Sequence, residues 1–514
     1  MSEFDLVVEA LGGVPVRPAM HVAGDLDDMT TEAWAHVVAW SSRVDHRRFL
    51  ARYGTSIVGL EEVDGGLVTV AWTRARALHV LARAVAWVRG EGDKTRSAFP
   101  PKEIADNLLV TPNPPLPALE RIVEVPVIGA DGTVRTDAGY DPATRCFLQP
   151  APGLVVEAVR SHPTARDVTR ARGLLRELVA DFPFKGHGDG DDGAHERTHA
   201  YAALLAPFVR ALIDGPTPLH LIEAPSPGSG KSLLAAAVAA PTLGVRPLPA
   251  MTEAAGDEWR KRITAKLRLA PSFVLLDNLR NVLDSSSLAS ALTATTVEDR
   301  LLGASEMVAV PVRCTWLATA NNPALSDEMT RRAVRTRLDA EVEFPEERDG
   351  FLHPHLLQWA REHRGELVWS ALTLSRDWVA AGKPDPSPRA RLGGFEAWTY
   401  VVGGILEHAD LGTVLGNTDE LRTVARDGGP GAFLAASWTR FGPAEWTSSA
   451  AIELAQEHLD LGSGSESQLA HALGNRLRLI VDRPFGEYVL RRPGRTQANT
   501  ARWTVEKVAA EATP

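Results

Sequence analysis

The chain has 514 residues, of which 44% are hydrophobic and 23% charged, with 55 basic against 65 acidic side chains. That length suits roughly three or four domains with ample apolar material for cores, which excludes a fibrous or mainly disordered chain. A net charge of −10 excludes a protein that coats nucleic acid with its whole surface, though a local basic patch remains compatible with it, and two cysteines (Cys146 and Cys314) are too few for a disulfide framework or a cysteine zinc site.

The N-terminus, Met1-Ser2-Glu3-Phe4-Asp5, is acidic and lacks the basic-then-apolar order of a signal peptide. No run of 18 uninterrupted apolar residues suggests a membrane span. With so few cysteines, the expectation is a cytoplasmic chain in a reducing compartment.

Residues 1–150 read as a mixed α+β N-terminal domain. Ser56 to Leu60 and Leu67 to Trp72 predict two strands joined by Asp64-Gly65-Gly66, and Arg74 to Val88 predicts a helix with Leu78, Leu81, Val85 and Val88 on one face. Val123 to Ile128 and Thr133-Val134 flank Ala130-Asp131-Gly132 as a second hairpin. Residues 151–215 read as a helical linker, with helices over Thr164 to Val179 and Glu196 to Ile213 around an exposed Gly186 to Gly193 connection.

From residue 216 to 345 the texture changes. Apolar strands Leu219 to Ala224, Ser272 to Leu276 and Cys314 to Ala318 alternate with helices, as in a parallel sheet sandwiched by helices. Residues 346–445 read as a helical region rich in tryptophan, and 446–514 as a small basic module.

The sharpest signal is the strand Leu219 to Ala224, then Pro225-Ser226-Pro227-Gly228-Ser229-Gly230-Lys231-Ser232, then the helix from Leu233 to Ala239. Glycines allow backbone N–H groups to crowd around phosphate oxygens, and the helix N-terminus adds positive potential. Pro227, Gly228, Ser229 and Gly230 would cradle the phosphates, Lys231 would reach the β/γ-phosphates, and the Ser232 hydroxyl would ligate Mg²⁺. Pro225 stands where this pattern has a glycine.

The strand Phe273 to Leu276 ends in Asp277, a carboxylate placed to hold Mg²⁺ or its water. Many such ATPases follow it with a glutamate that activates water; here the residue is Asn278. Glu258 is an alternative base, set in a charged run that reads more simply as a solvated helix face. Thr315 to Ala320 leads to Asn321-Asn322-Pro323, where Asn321 could orient water and sense the γ-phosphate. Arg331 and Arg332 follow, as candidate guanidinium clamps.

This order of P-loop, Asp277, Asn321 and Arg331-Arg332 resembles the AAA+ core of superfamily-3 helicases, and in particular the helicase half of phage and plasmid primase-helicases. The resemblance implies an ATP- and Mg²⁺-dependent ATPase assembled as a ring, a hexamer in that family, acting on single-stranded or forked DNA in replication. Lys231, Ser232 and Asp277 would bind ATP-Mg²⁺, Asn321 would be the sensor, and Arg332 with Arg331 would act on a neighbouring subunit's nucleotide. The stretch from Arg300-Leu301-Leu302-Gly303 to Val312-Arg313 matches that family's channel hairpin, which makes Arg313 a candidate DNA contact. Asn278 and Pro225 also suit a different class, a nucleotide-switched assembly or loader protein with little unwinding.

In the last segment Glu466 to Ile480 predicts a helix, and Tyr488 to Arg492 and Arg502 to Val505 predict two strands around Pro493-Gly494. The arrangement resembles a winged helix, with Arg491, Arg492 and Arg495 as candidate phosphate contacts and Trp503 packed beneath them. His195-Glu196-Arg197-Thr198-His199 matches the zinc-peptidase pattern HExxH, a short motif prone to chance matches that still needs a third ligand.

Overall fold

A computed structural model describes residues 17–90, 94–186, 192–244, 246–254, 256–279, 283, 285–300, 307–321, 323, 325–387, 392–416, 430–459, 465–482, 484–485, 487–495 and 501–507. The chain divides into two compact units, Met1–Leu415 and Gly416–Pro514.

In the first unit, the predicted N-terminal hairpin forms between antiparallel strands Ser56–Val63 and Gly66–Ala71, with Leu50–Tyr53 on the other side of Ser56–Val63. Asp64 and Gly65 take the left-handed conformations that a tight turn requires. The following helix is shorter than its periodicity predicts. It starts at a Thr73 cap and stops at Ala84, and Ala86–Arg89 becomes a strand parallel to Ala19–His21. The run Val85-Ala86-Trp87-Val88 is rich in strand formers, and tertiary pairing overrides the helical spacing. The expected strand Val123 to Ile128 is likewise split. Arg121–Val123 pairs with Cys146–Leu148, and Val127–Ile128 pairs with Val134–Arg135. Pro126, which has no N–H to donate, lies at the break.

The centre of this unit is a five-stranded parallel sheet. Its strands are β1 (Leu219–Ala224), β2 (Ala250–Met251), β3 (Phe273–Leu279), β4 (Thr315–Asn321) and β5 (Ala333–Arg337), in spatial order β2-β3-β4-β1-β5. Strand alternation feeds two cores. Ile222, Phe273, Leu275, Leu317 and Val334 pack on one side with α1 (Lys231–Leu243) and the helices Ala194–Val209 and Arg364–Ala380. Leu221, Val274, Leu276, Trp316 and Ala318 pack on the other with α2 (Asp257–Leu267), the helix Ser286–Thr293 and the N-terminal residues Phe49, Ala51 and Val58. The Ala194–Val209 helix is buried on nearly every face, which its alanine- and leucine-rich sequence permits.

The predicted hairpin before β4 is formed by antiparallel strands Thr296–Arg300 and Met307–Pro311; residues 301–306 lie outside the described set. Most of the expected 186–193 connection (187–191) also lies outside it.

The second unit runs helix Pro430–Phe441, strand Trp446–Thr447, helix Ile452–His458, helix Glu466–Ile480 and then strands Pro484–Phe485, Tyr488–Arg495 and Ala501–Lys507. The last helix begins in a reciprocal cap between Ser465 and Gln468. Phe433 and Leu434 share one core with Trp446, Leu473, Leu477, Leu490, Trp503 and Val505. The Pro430–Phe441 helix, expected in the preceding helical region, therefore packs with the basic module.

Candidate nucleotide site

The site is built where β1 ends. Ala224 is buried, and after residues 225–230 the chain enters α1 at Lys231. Gly228 (φ 78°) and Gly230 (φ 90°) hold left-handed conformations that only glycine adopts freely. Pro225 is exposed and takes no such conformation, so the loop tolerates the departure there. Ser229 is buried, and its Oγ donates to the Ser226 carbonyl at 2.8 Å. The Lys231 ammonium donates to the same carbonyl at 2.9 Å, and partial burial lowers its pKa. Ser232 is exposed on the first turn of α1. Open amides, an ammonium and a hydroxyl at the start of a 13-residue helix fit a phosphate chain with a divalent cation.

Asp277 enters from β3, which has a register shift against β4 between Leu276 and Leu279. Asn278 takes φ 55° in this irregularity, which turns its side chain to solvent. Its N–H donates to Thr319 Oγ1 at 2.8 Å, and that hydroxyl donates to Asp277 Oδ1 at 2.7 Å. Asn321 ends β4 exposed, in register with Ala224 at the root of the P-loop. Lys231, Ser232, Asp277 and Asn321 thus gather at the C-terminal edge of one sheet. Strand spacing puts Asp277 about 10 Å from the β1 line, with β4 between them. Thr319 was not among the sequence candidates. A lone hydroxyl in the apolar run Trp316 to Ala320 was the signal that could have found it.

Arg331 and Arg332 sit at the other edge. The Arg332 carbonyl accepts from Leu219 N–H, at the start of β1. The whole of β1, roughly 20 Å, separates them from the P-loop of the same chain. Arg332 is tied to Glu328, through its carbonyl at 2.8 Å and its carboxylate at 3.1 Å, whereas Arg331 is exposed.

A cavity of about 450 Å³ opens beside the P-loop. Gly228, Ser229, Gly230 and Leu233 form one wall; Asp181, Phe182 and Pro183 another; Pro345, Glu346, Arg348, Phe351 and the segment 353–358 the rest. His353 lines this cavity, bonds Glu177 at 2.9 Å and stacks on Trp359. A mostly apolar hollow next to a phosphate loop suits a nucleobase.

Other candidates are committed elsewhere. Glu196 accepts from the Arg337 backbone N–H at 2.7 Å; His199 Nδ1 meets the Arg335 carbonyl at 2.6 Å and its Nε2 accepts from Leu415 N–H. Glu196 and His199 therefore tie that helix to β5, and no cluster of three metal-ligating side chains occurs among the described residues. Glu258 pairs with Lys261 and Arg262, a solvated helix face. Arg313 lies past the hairpin and pairs with Glu120 at 2.8 Å. Arg491 pairs with Asp482 and Glu506, both at 2.8 Å, and so offers no free charge. Arg492 is exposed and lies over the Trp503 ring, itself fully buried; the Arg495 side chain lies outside the described set.

No family model and no curated protein matches the chain. Among solved structures it is similar to the apo A form of the NrS-1 C-terminal region, with 11% identity and a TM-score of 0.37 over 89% of this chain and 96% of that one. It is also similar to a structure titled "SCCmec type IV Cch - active helicase", with 11% identity and a TM-score of 0.34 over 88% of this chain and 91% of that one. Both likenesses are distant. No helix among the described residues is long and apolar enough to cross a membrane.

Proposed function

We propose that the protein is an ATP-dependent DNA translocase of helicase type that works as a ring of like subunits. One relationship carries the reading. The phosphate loop, Asp277 and Asn321 share one edge of the sheet, while the exposed Arg331 stands at the opposite edge, a strand's length from its own loop. A guanidinium placed there serves a triphosphate only on an adjacent copy.

In this reading Lys231 and the amides of residues 228–231 hold the phosphates, and Ser232 and Asp277 hold Mg²⁺, whose charge would neutralise the phosphates. Asn321 orients water. The second unit, with its helix–strand–helix–helix–hairpin order, is a winged-helix-like DNA module in which Arg492 is the exposed contact. The replication setting and hexameric state belong to the same proposal.

Asn278 favours a second reading, a nucleotide-switched assembly or loader protein. No carboxylate follows Asp277, and Asn278 itself faces solvent. A strand-displacement assay on forked DNA, paired with native mass measurement with and without ATP, separates the two. The translocase forms a closed ring and unwinds. A switch binds DNA or a partner with ATP and displaces no strand.

A further inference from the structure

We propose that Glu346 reads the sugar of the bound nucleotide: its carboxylate accepts hydrogen bonds from the ribose hydroxyls, so the site prefers ribonucleotides over 2′-deoxyribonucleotides. The inference rests on the nucleotide reading above and adds a specificity to it.

A nucleotide has a fixed covalent order. The sugar is the bridge between base and phosphates. A ligand with its phosphates on the amides around Gly228 and its base in the adjoining cavity passes its sugar through the join between them. Glu346 occupies that join. Its Oε2 lies 2.6 Å, and its backbone nitrogen 3.3 Å, from the point a Cβ on Gly228 would take, and the same residue lines the cavity. Gly228 is thus doubly required, by its positive φ and by this approach.

The carrier of the carboxylate is fixed. Glu346 sits in a short turn, Pro345–Glu347, with a proline at its first position and Pro345 itself buried. Its neighbour Arg348 does not neutralise it; that guanidinium donates to the Asp181 carbonyl and lies over Phe351. Glu346 is exposed, and among the described residues no hydrogen bond or ion pair engages its carboxylate. An ionised carboxylate only accepts hydrogen bonds. Phosphates repel it and offer no donor when ionised. The sugar hydroxyls are the donors a nucleotide brings to this point.

The test is equilibrium binding of ATP and 2′-dATP, each with Mg²⁺, to the full-length protein and to its Glu346→Ala, Glu346→Gln and Lys231→Ala variants. Glu346 is exposed, so its replacement leaves the fold intact. The native protein is expected to bind ATP about tenfold more tightly than 2′-dATP, the scale of one hydrogen bond to a charged acceptor. Glu346→Ala should bind the two alike, with ATP weakened to the 2′-dATP level, and Glu346→Gln should keep part of the preference. Equal binding of both nucleotides by the native protein overturns the inference, as does a preference that survives in Glu346→Ala. Tighter binding of both nucleotides by Glu346→Ala also overturns it, and makes the carboxylate an electrostatic brake on the phosphates. In each of these cases Lys231→Ala still loses binding, and the nucleotide reading stands. If ATP fails to bind, or binds Lys231→Ala as well as the native protein, the nucleotide reading falls and takes the inference with it.

Discussion

The Thr319 hydroxyl donates to Asp277 Oδ1 at 2.7 Å while accepting the Asn278 N–H at 2.8 Å. One buried side chain on β4 thereby fixes both the carboxylate and the irregular backbone of β3 that presents it. Supporting groups of this kind around a metal-holding carboxylate are worth about 10- to 100-fold in affinity or activity. Thr319→Val, nearly isosteric but without a hydroxyl, should lower ATP turnover by that factor and raise the Mg²⁺ concentration needed for half-maximal rate. Thr319→Ser should restore most of both. A valine variant with native turnover and native Mg²⁺ dependence would show that Asp277 needs no such support.

Lys231 spends its ammonium on a loop carbonyl, Ser226, in the structure. That contact holds the loop and leaves the amides of residues 228–231 clear. A phosphate would exchange a neutral acceptor for a charged one, and hydrogen bonds to charged groups contribute about 1.5–3 kcal/mol each. Lys231→Ala should weaken ATP binding by about one to two orders of magnitude and abolish turnover. Lys231→Arg should not rescue it, because a planar guanidinium is broader than the ammonium it replaces. Unchanged ATP affinity in the alanine variant, read by titration calorimetry, would remove the loop from the site.

These two residues also mark what the sequence could and could not tell. The P-loop is contiguous, and its strand, two glycines and Lys-Ser follow one another, so the local pattern was readable without a structure. Asp277 and Asn321 were readable because each ends an apolar strand. Thr319 was not singled out, since its meaning depends on β4 lying beside β3, a fact of sheet order. The cavity was invisible for the same reason: residues 181–183, 228–233 and 345–358 meet only once the sheet and its covering helices are packed. Composition misled at the C-terminal hairpin. The excess of arginine was real, but Arg491 is neutralised by Asp482 and Glu506, which face it from different strands and turns. Periodicity misled at Val85 to Val88, where a helical spacing coincided with a run of strand formers.

His220 sits in β1, fully buried, with both ring nitrogens unpartnered among the described residues and its ring edge-on to Trp398. Burial, and to a lesser degree His199, lowers its pKa from 6.5 to about 3. The unfolded chain therefore binds a proton that the folded chain refuses. Stability from this group is complete above pH 6.5 and is lost as pH falls from 6.5 toward 3. Each pH unit in that window costs about 1.4 kcal/mol, so at pH 5 the loss is about 2 kcal/mol. His220→Leu lacks this titration. Its stability relative to the native protein, from denaturant unfolding at pH 7.5 and pH 5, should improve by about 2 kcal/mol between the two. A gap that stays constant with pH would mean that the folded protein admits the proton at His220.

Arg331 and Arg332 are adjacent in sequence and unequal in the structure. Arg332 is held by the carbonyl and carboxylate of Glu328, and Arg331 is exposed to solvent. Arg331 is therefore the better candidate to reach a neighbouring copy, and Arg332 the residue that steadies the turn. Arg331→Ala should bind ATP normally and lose turnover by about a thousandfold, the lower range for a clamp supplied across subunits. Arg332→Ala should lose less. Mixing gives the decisive measurement. A Lys231→Ala subunit has an intact Arg331 but a dead loop; an Arg331→Ala subunit has the reverse. If the guanidinium acts on the next copy, an equimolar mixture of these two inactive proteins, assembled together, recovers turnover that neither shows alone. A mixture no more active than its parts would confine each site to its own chain, and with it would go the reason to expect a ring.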